Sequence, residues 1–124
     1  MKEQLVTLYT AKLAKEKGFN ETCEYGYFDI DNEIILDISD HNNSDNLDIS
    51  APTQSLLQKW LRRGGIIVLA NTHKDHAADV NDEFEWYPII QTKKLKIGYN
   101  NFDYGSYTKA LEAGLIEGLK LIKL

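Results

Sequence analysis

The sequence has a single cysteine, Cys23, so no disulfide can form within the chain. The plain reading is a reducing cytosol. No apolar run reaches the roughly 20 residues of a membrane-spanning helix. Met1-Lys2-Glu3-Gln4 leads straight into a mixed segment without a signal-peptide core. These absences together predict a soluble, cytoplasmic protein with no membrane partner. G-x-G-x-x-G, P-loop and G-x-S-x-G motifs are missing, which removes the common nucleotide-binding and serine-hydrolase signatures. Internal repeats are missing too. Lys and Arg are absent from Gly18 to Gln58, a stretch that carries carboxylates from Glu21 and Glu24 through Asp45 and Asp48. Such a surface is solvated for solubility, receives a basic partner, or imitates nucleic-acid charge. The net charge of -5 disfavours nucleic acid as a ligand, because phosphate binding needs a basic face.

What is present is enough for one domain over residues 1-124, with 43% apolar residues to build a core. The end of the chain has the clearest pattern. Tyr107, Ala110, Leu111, Gly114, Leu115, Gly118, Leu119 and Ile122 recur with a 3.6-residue period, and Ser106 stands at the N-cap. Gly114 and Gly118 would each cost about 0.8–1 kcal/mol relative to Ala inside a helix. Their place on the apolar stripe predicts that this helix comes close to what it packs on.

Leu5 to Lys17 also reads as a helix, with Thr7 as N-cap, Gly18 past its end and Phe19 folded back on the last turn. Ala51 to Arg63 is a third, ended by Gly64-Gly65, with Thr53 or Pro52 opening it and Leu56, Leu57, Trp60 and Leu61 on one face. Thr22 to Ile38 reads as a hairpin turning at Asp31-Asn32. A two-residue loop sets Ile30 opposite Glu33 and Tyr27 opposite Leu36, with Tyr25, Tyr27, Ile34, Leu36 and Ile38 on the core face. Ser39 to Ser50 is rich in turn formers and reads as a polar loop, as does Asn71 to Asp82. Ile66 to Ala70 reads as a buried central strand. Phe84 to Gln91 and Leu95 to Asn100 form a second hairpin, in which Pro88 calls for an edge strand or a bulge. The order α-β-β-α-β-β-β-α predicts an α+β fold: a mostly antiparallel sheet of about five strands with three helices.

Three stretches carry a resemblance: Ala51-Pro52-Thr53-Gln54-Ser55-Leu56-Leu57-Gln58-Lys59-Trp60-Leu61-Arg62, the ending from Tyr107 through Ala110-Leu111-Glu112-Ala113-Gly114-Leu115 to Ile122, and Ala11 to Phe19. Together they resemble small uncharacterised proteins encoded by phages and prophages of gut bacteria. At Arg63-Gly64-Gly65 the chain departs from the longer, more polar helix end of that group. The resemblance implies no catalytic residues. It implies a phage-borne accessory protein, a category that includes host-takeover and anti-defence factors.

Among chemical constellations, Thr72 to Asp79 is the foremost. His73 and His76, three apart, with Asp79 could hold a zinc ion and support a small metal-dependent enzyme; the alternative is a polar surface loop. Asp29-x-Asp31-x-Glu33 lacks the glycine of an EF-hand, since Ile34 stands at the sixth position. Cys23 has carboxylates beside it, which oppose thiolate formation. The aromatics crowd the hairpins. Phe28, Ile35, Trp86 and Tyr87 are candidates for an exposed apolar interaction surface, serving homodimerisation or another protein partner. The expected function is a non-enzymatic binding protein acting on a host component, with no cofactor.

Overall fold

The computed structural model describes residues 4–30, 33–41, 48–72, 85–98 and 104–123; at 28–30, 33–41 and 48 it describes the backbone. The elements are α1 (Leu8–Glu16), β1 (Cys23–Ile30), β2 (Glu33–His41), β3 (Asp48–Ser50), α2 (Gln54–Arg63), β4 (Ile67–Thr72), β5 (Trp86–Gln91), β6 (Lys96–Gly98) and α3 (Tyr107–Lys120). The fold is α+β, with three helices and antiparallel strands in the expected order and one short strand added. That strand, β3, lies in the stretch read as a polar loop, and Ser39 to His41 belong to β2. The turn-forming composition there hides the pairing partner, since β3 gains its hydrogen bonds from β1 rather than from its own sequence.

The strands form two three-stranded sheets, β2-β1-β3 and β4-β5-β6. In the first, Ile30 faces Glu33 and Tyr27 faces Leu36, the register expected of a two-residue turn. Tyr25 with Ile38 and Asp29 with Ile34 fall on the same face as that pair. In the second, Pro88 sits in the central strand, not at an edge, whereas β4, read as a buried central strand, lies at the edge of the described sheet with Val68 buried on the α3 side and Leu69 exposed on the other. Trp86 exchanges both backbone hydrogen bonds with Tyr104, so the nitrogen of Pro88, two residues on, faces the same side. The ladder is broken there. Ile89 faces Gly98, a register that would set Trp86 opposite position 101, yet Trp86 faces Tyr104. Proline is tolerated because its missing N–H falls at the interruption.

All three helices run side by side in the same direction. Thr7 and Thr10 at the start of α1 and Gln54 at the start of α2 bond to Glu112 of α3. At the other end Lys17 Nζ donates to the carbonyl of Ile122 at 2.7 Å. Each N-cap is the expected one: Thr7, Thr53 and Ser106 accept from the amide three residues on. The first two helices end alike. Gly18 (φ 96°) and Gly65 (φ 93°) adopt the left-handed turn, and the amides of Phe19 and Ile66 reach back to Ala14 and Leu61.

The core lies between the helices and the second sheet. α3 crosses β4 and β5 on its glycines: a Cβ at Gly114 would lie 2.8 Å from Val68 Cγ1 and 2.9 Å from Pro88 Cβ, and one at Gly118 2.9 Å from Val68 Cγ2. The close approach expected of the glycine stripe is therefore real. Phe19, Leu57, Leu61, Val68, Ile90, Leu115 and Leu119 fill the interior, with Phe19 set edge-on to Trp60 at 5.4 Å.

Candidate functional site

Parallel helices align their dipoles, so one end of the bundle is electropositive and the other electronegative. At the positive end stands Glu112. Its Oε2 accepts from the Thr7 amide at 2.9 Å, from Thr7 Oγ1 at 3.0 Å and from Thr10 Oγ1. Its Oε1 accepts from Gln54 Nε2 at 2.9 Å, and Gln54 also donates to the Thr108 carbonyl. Thr10 and Gln54 are buried. Nearby, the Tyr27 hydroxyl donates to the Val6 carbonyl, and burial and the Glu112 carboxylate push it above the usual phenol range. Both oxygens of Glu112 are engaged and its donors are committed to it, so this cluster joins the three helices and offers no reactive group.

The negative end is open. Here α1, α2 and α3 finish, and the β5–β6 turn comes alongside. Two adjoining cavities of about 470 and 770 Å³ share Arg63, Gly64, Ile66 and Ile122. Lys17, Asn20, Glu21, Trp60 and Leu61 line the first; Arg62, Gly65, Thr92, Lys93, Lys94 and Leu121 line the second. The result is one groove, with Leu61, Ile66, Trp60 and Ile122 as apolar floor and five cationic side chains above it. Glu21 is the one carboxylate among the described lining residues. It pairs with exposed Arg63 at 3.0 Å, an interaction worth about 0–1 kcal/mol. Arg62 and Arg63 sit in the last turn of α2, where cations suit the helix dipole. Lys93 and Lys94 have another origin: Thr92 N–H donates to the Leu95 carbonyl and Lys94 N–H to Thr92 Oγ1, closing a turn that exposes both lysines. Arg63 and Gly64, at the end of α2, line both cavities.

Cys23 lies just below. It is buried, and its Sγ donates to the Glu21 carbonyl. Burial first, and Glu21 second, push the thiol up to about 11. It is no nucleophile at neutral pH.

The residues singled out from sequence fall elsewhere. His73, His76 and Asp79 lie outside the described residues. Phe28 and Ile35 are paired across β1 and β2. Trp86 and Tyr87 alternate across the second sheet: Trp86 stands edge-on to Tyr107 at 5.3 Å on the α3 side, and Tyr87 falls on the opposite face with Leu69 and Ile89. The four are thus split between two sheets. The groove went unread because its cations come from positions 17, 62–63 and 93–94. The one signal was the concentration of Lys and Arg outside 18–58. No described helix is long and apolar enough to cross a membrane. No protein-family model, curated protein or solved structure matches this chain.

Proposed function

We propose that this chain is a non-enzymatic binding protein that holds a partner protein at the C-terminal end of its helices. One observation carries the reading: five cations from three separate elements surround an apolar floor in a chain of net charge -5. Helix dipoles account for Lys17, Arg62 and Arg63. They do not account for Lys93 and Lys94 on a sheet turn. An apolar centre with a charged rim is the usual anatomy of a protein-binding patch. The resemblance to small phage- and prophage-encoded proteins supports an accessory role against a host component in the bacterial cytoplasm.

The test is retention of a partner from host lysate on immobilised protein, followed by native mass spectrometry. Wild type is expected to hold one partner in fixed ratio, and Lys93→Glu/Lys94→Glu to lose it. Equal retention by both proteins would overturn the assignment to the groove. A mass increment matching zinc, lost in His73→Ala or His76→Ala, would favour the metal-dependent enzyme instead. A dimer that persists in the charge-reversed variant would move the interface to the sheets, where Phe28, Ile35, Trp86 and Tyr87 are placed.

A further inference from the structure

We infer that the groove takes an acidic peptide segment with an apolar residue at its centre, an inference that rests on the binding reading above. The floor and the rim ask for different chemistry. Trp60 and Ile122, half-buried beside the buried Leu61 and Ile66, remove apolar surface from water when covered. Lys93, Lys94 and Arg62 are exposed and stand on the side away from Glu21. A lone phosphate would use the rim and leave the floor wet. A purely apolar helix would cover the floor and leave the rim charges beside it. A segment with one or two apolar side chains flanked by carboxylates satisfies both.

Charge decides between peptide and nucleic acid. A phosphodiester strand carries a charge at every nucleotide and continues past the groove onto a molecule of net charge -5. A short peptide ends near the groove, and its carboxylates flank an apolar centre as the cations flank the floor. The volumes of the two adjoining cavities, about 470 and 770 Å³, also suit a peptide segment better than a small anion. Charged rims act chiefly on association and on partner choice, so binding should be strongly salt-dependent.

The experiment is fluorescence anisotropy of fluorescein-labelled probes with the full chain. One probe is a twelve-residue Asp/Glu peptide with a central Leu-Phe. A second replaces Leu-Phe by Ser-Ser, and a third is an oligothymidine of twelve nucleotides. The expected result is saturable binding of the first peptide, about tenfold weaker for the second. It should also weaken about tenfold in Lys93→Glu/Lys94→Glu and again when salt is raised. Arg62→Glu, also on an exposed side chain, repeats the test should the double variant fold poorly. Absence of saturable binding at millimolar protein, indifference to charge reversal, or tighter binding of the oligothymidine would each overturn the inference. If the peptides fail while immobilised wild type still retains a partner that the reversed variant loses, the binding reading stands and this inference alone falls.

Discussion

The two ends of the helix bundle follow from one arrangement and reach opposite outcomes. At the N-terminal end a single carboxylate, Glu112 of α3, meets the starts of the other two helices and is saturated by Thr7, Thr10 and Gln54. At the C-terminal end five cations meet three helix finishes, and among the described residues the geometry bonds two of them, Lys17 to the Ile122 carbonyl and Arg63 to Glu21. The difference teaches how to separate charge that holds a fold from charge that is left to act. A structural charge is surrounded by its partners and matched donor for acceptor. The groove cations exceed what the helix ends require, and two of them belong to no helix.

The sharpest way to break this contrast is Glu112→Ala. It strands the buried donors of Thr10 and Gln54, each at about 1–3 kcal/mol when unmatched, while those of exposed Thr7 turn to water. A total loss of roughly 2 kcal/mol or more is expected in urea unfolding, with Glu112→Gln milder. Raising the pH comes next. The Cys23 thiol is held protonated up to about 11 against 9.0 for the ordinary group. A raised thiol pKa means that the unfolded chain releases its proton first. Its stability contribution is therefore intact below pH 9 and lost as the pH rises from 9 to 11, with a slope of at most about 1.4 kcal/mol for each pH increment of one. Cys23→Ser should flatten that part of the profile, and iodoacetamide should label wild type at neutral pH only after denaturation.

Gly114→Ala is expected to cost up to about 2 kcal/mol. Overpacking against Val68 and Pro88 costs about 1–3 kcal/mol, and helix propensity returns about 1. Calorimetry should register this as a lower Tm, whereas alanine at an exposed helix glycine would raise it. Smallest of all is Lys93→Glu/Lys94→Glu, expected within about 0.5 kcal/mol of wild type in stability although it removes groove binding. A large loss of stability there would place both ends in the same structural role.

Local features were legible and distant ones were not. Thr7, Thr53 and Ser106 cap their helices because capping is a matter of four consecutive residues. The Ile30–Glu33 register follows from a turn two residues long. Gly114 and Gly118 announced a close approach by standing on an apolar stripe. The partner of that approach, Val68 with Pro88, could not be read, and neither could the placing of Pro88 in a central strand. Glu112 looked like one more exposed helix carboxylate. Its partners lie 102 to 105 residues away in α1 and 58 away in α2. The groove was hidden for the same reason: no local pattern links Lys17, Arg63 and Lys94.

The span between Thr7 and Glu112 also sets a clock on synthesis. At typical translation rates of roughly 5–20 residues per second, the first helix waits about 5–20 s for the carboxylate that holds it. Each helix must further be brought back parallel to the last across an intervening sheet, which raises the mean sequence separation of its contacts and slows folding. During that interval Ala11, Ala14 and Phe19, buried in the finished protein, face water without the helix that covers them. The nascent chain is therefore exposed to proteases and chaperones until its final helix has left the ribosome.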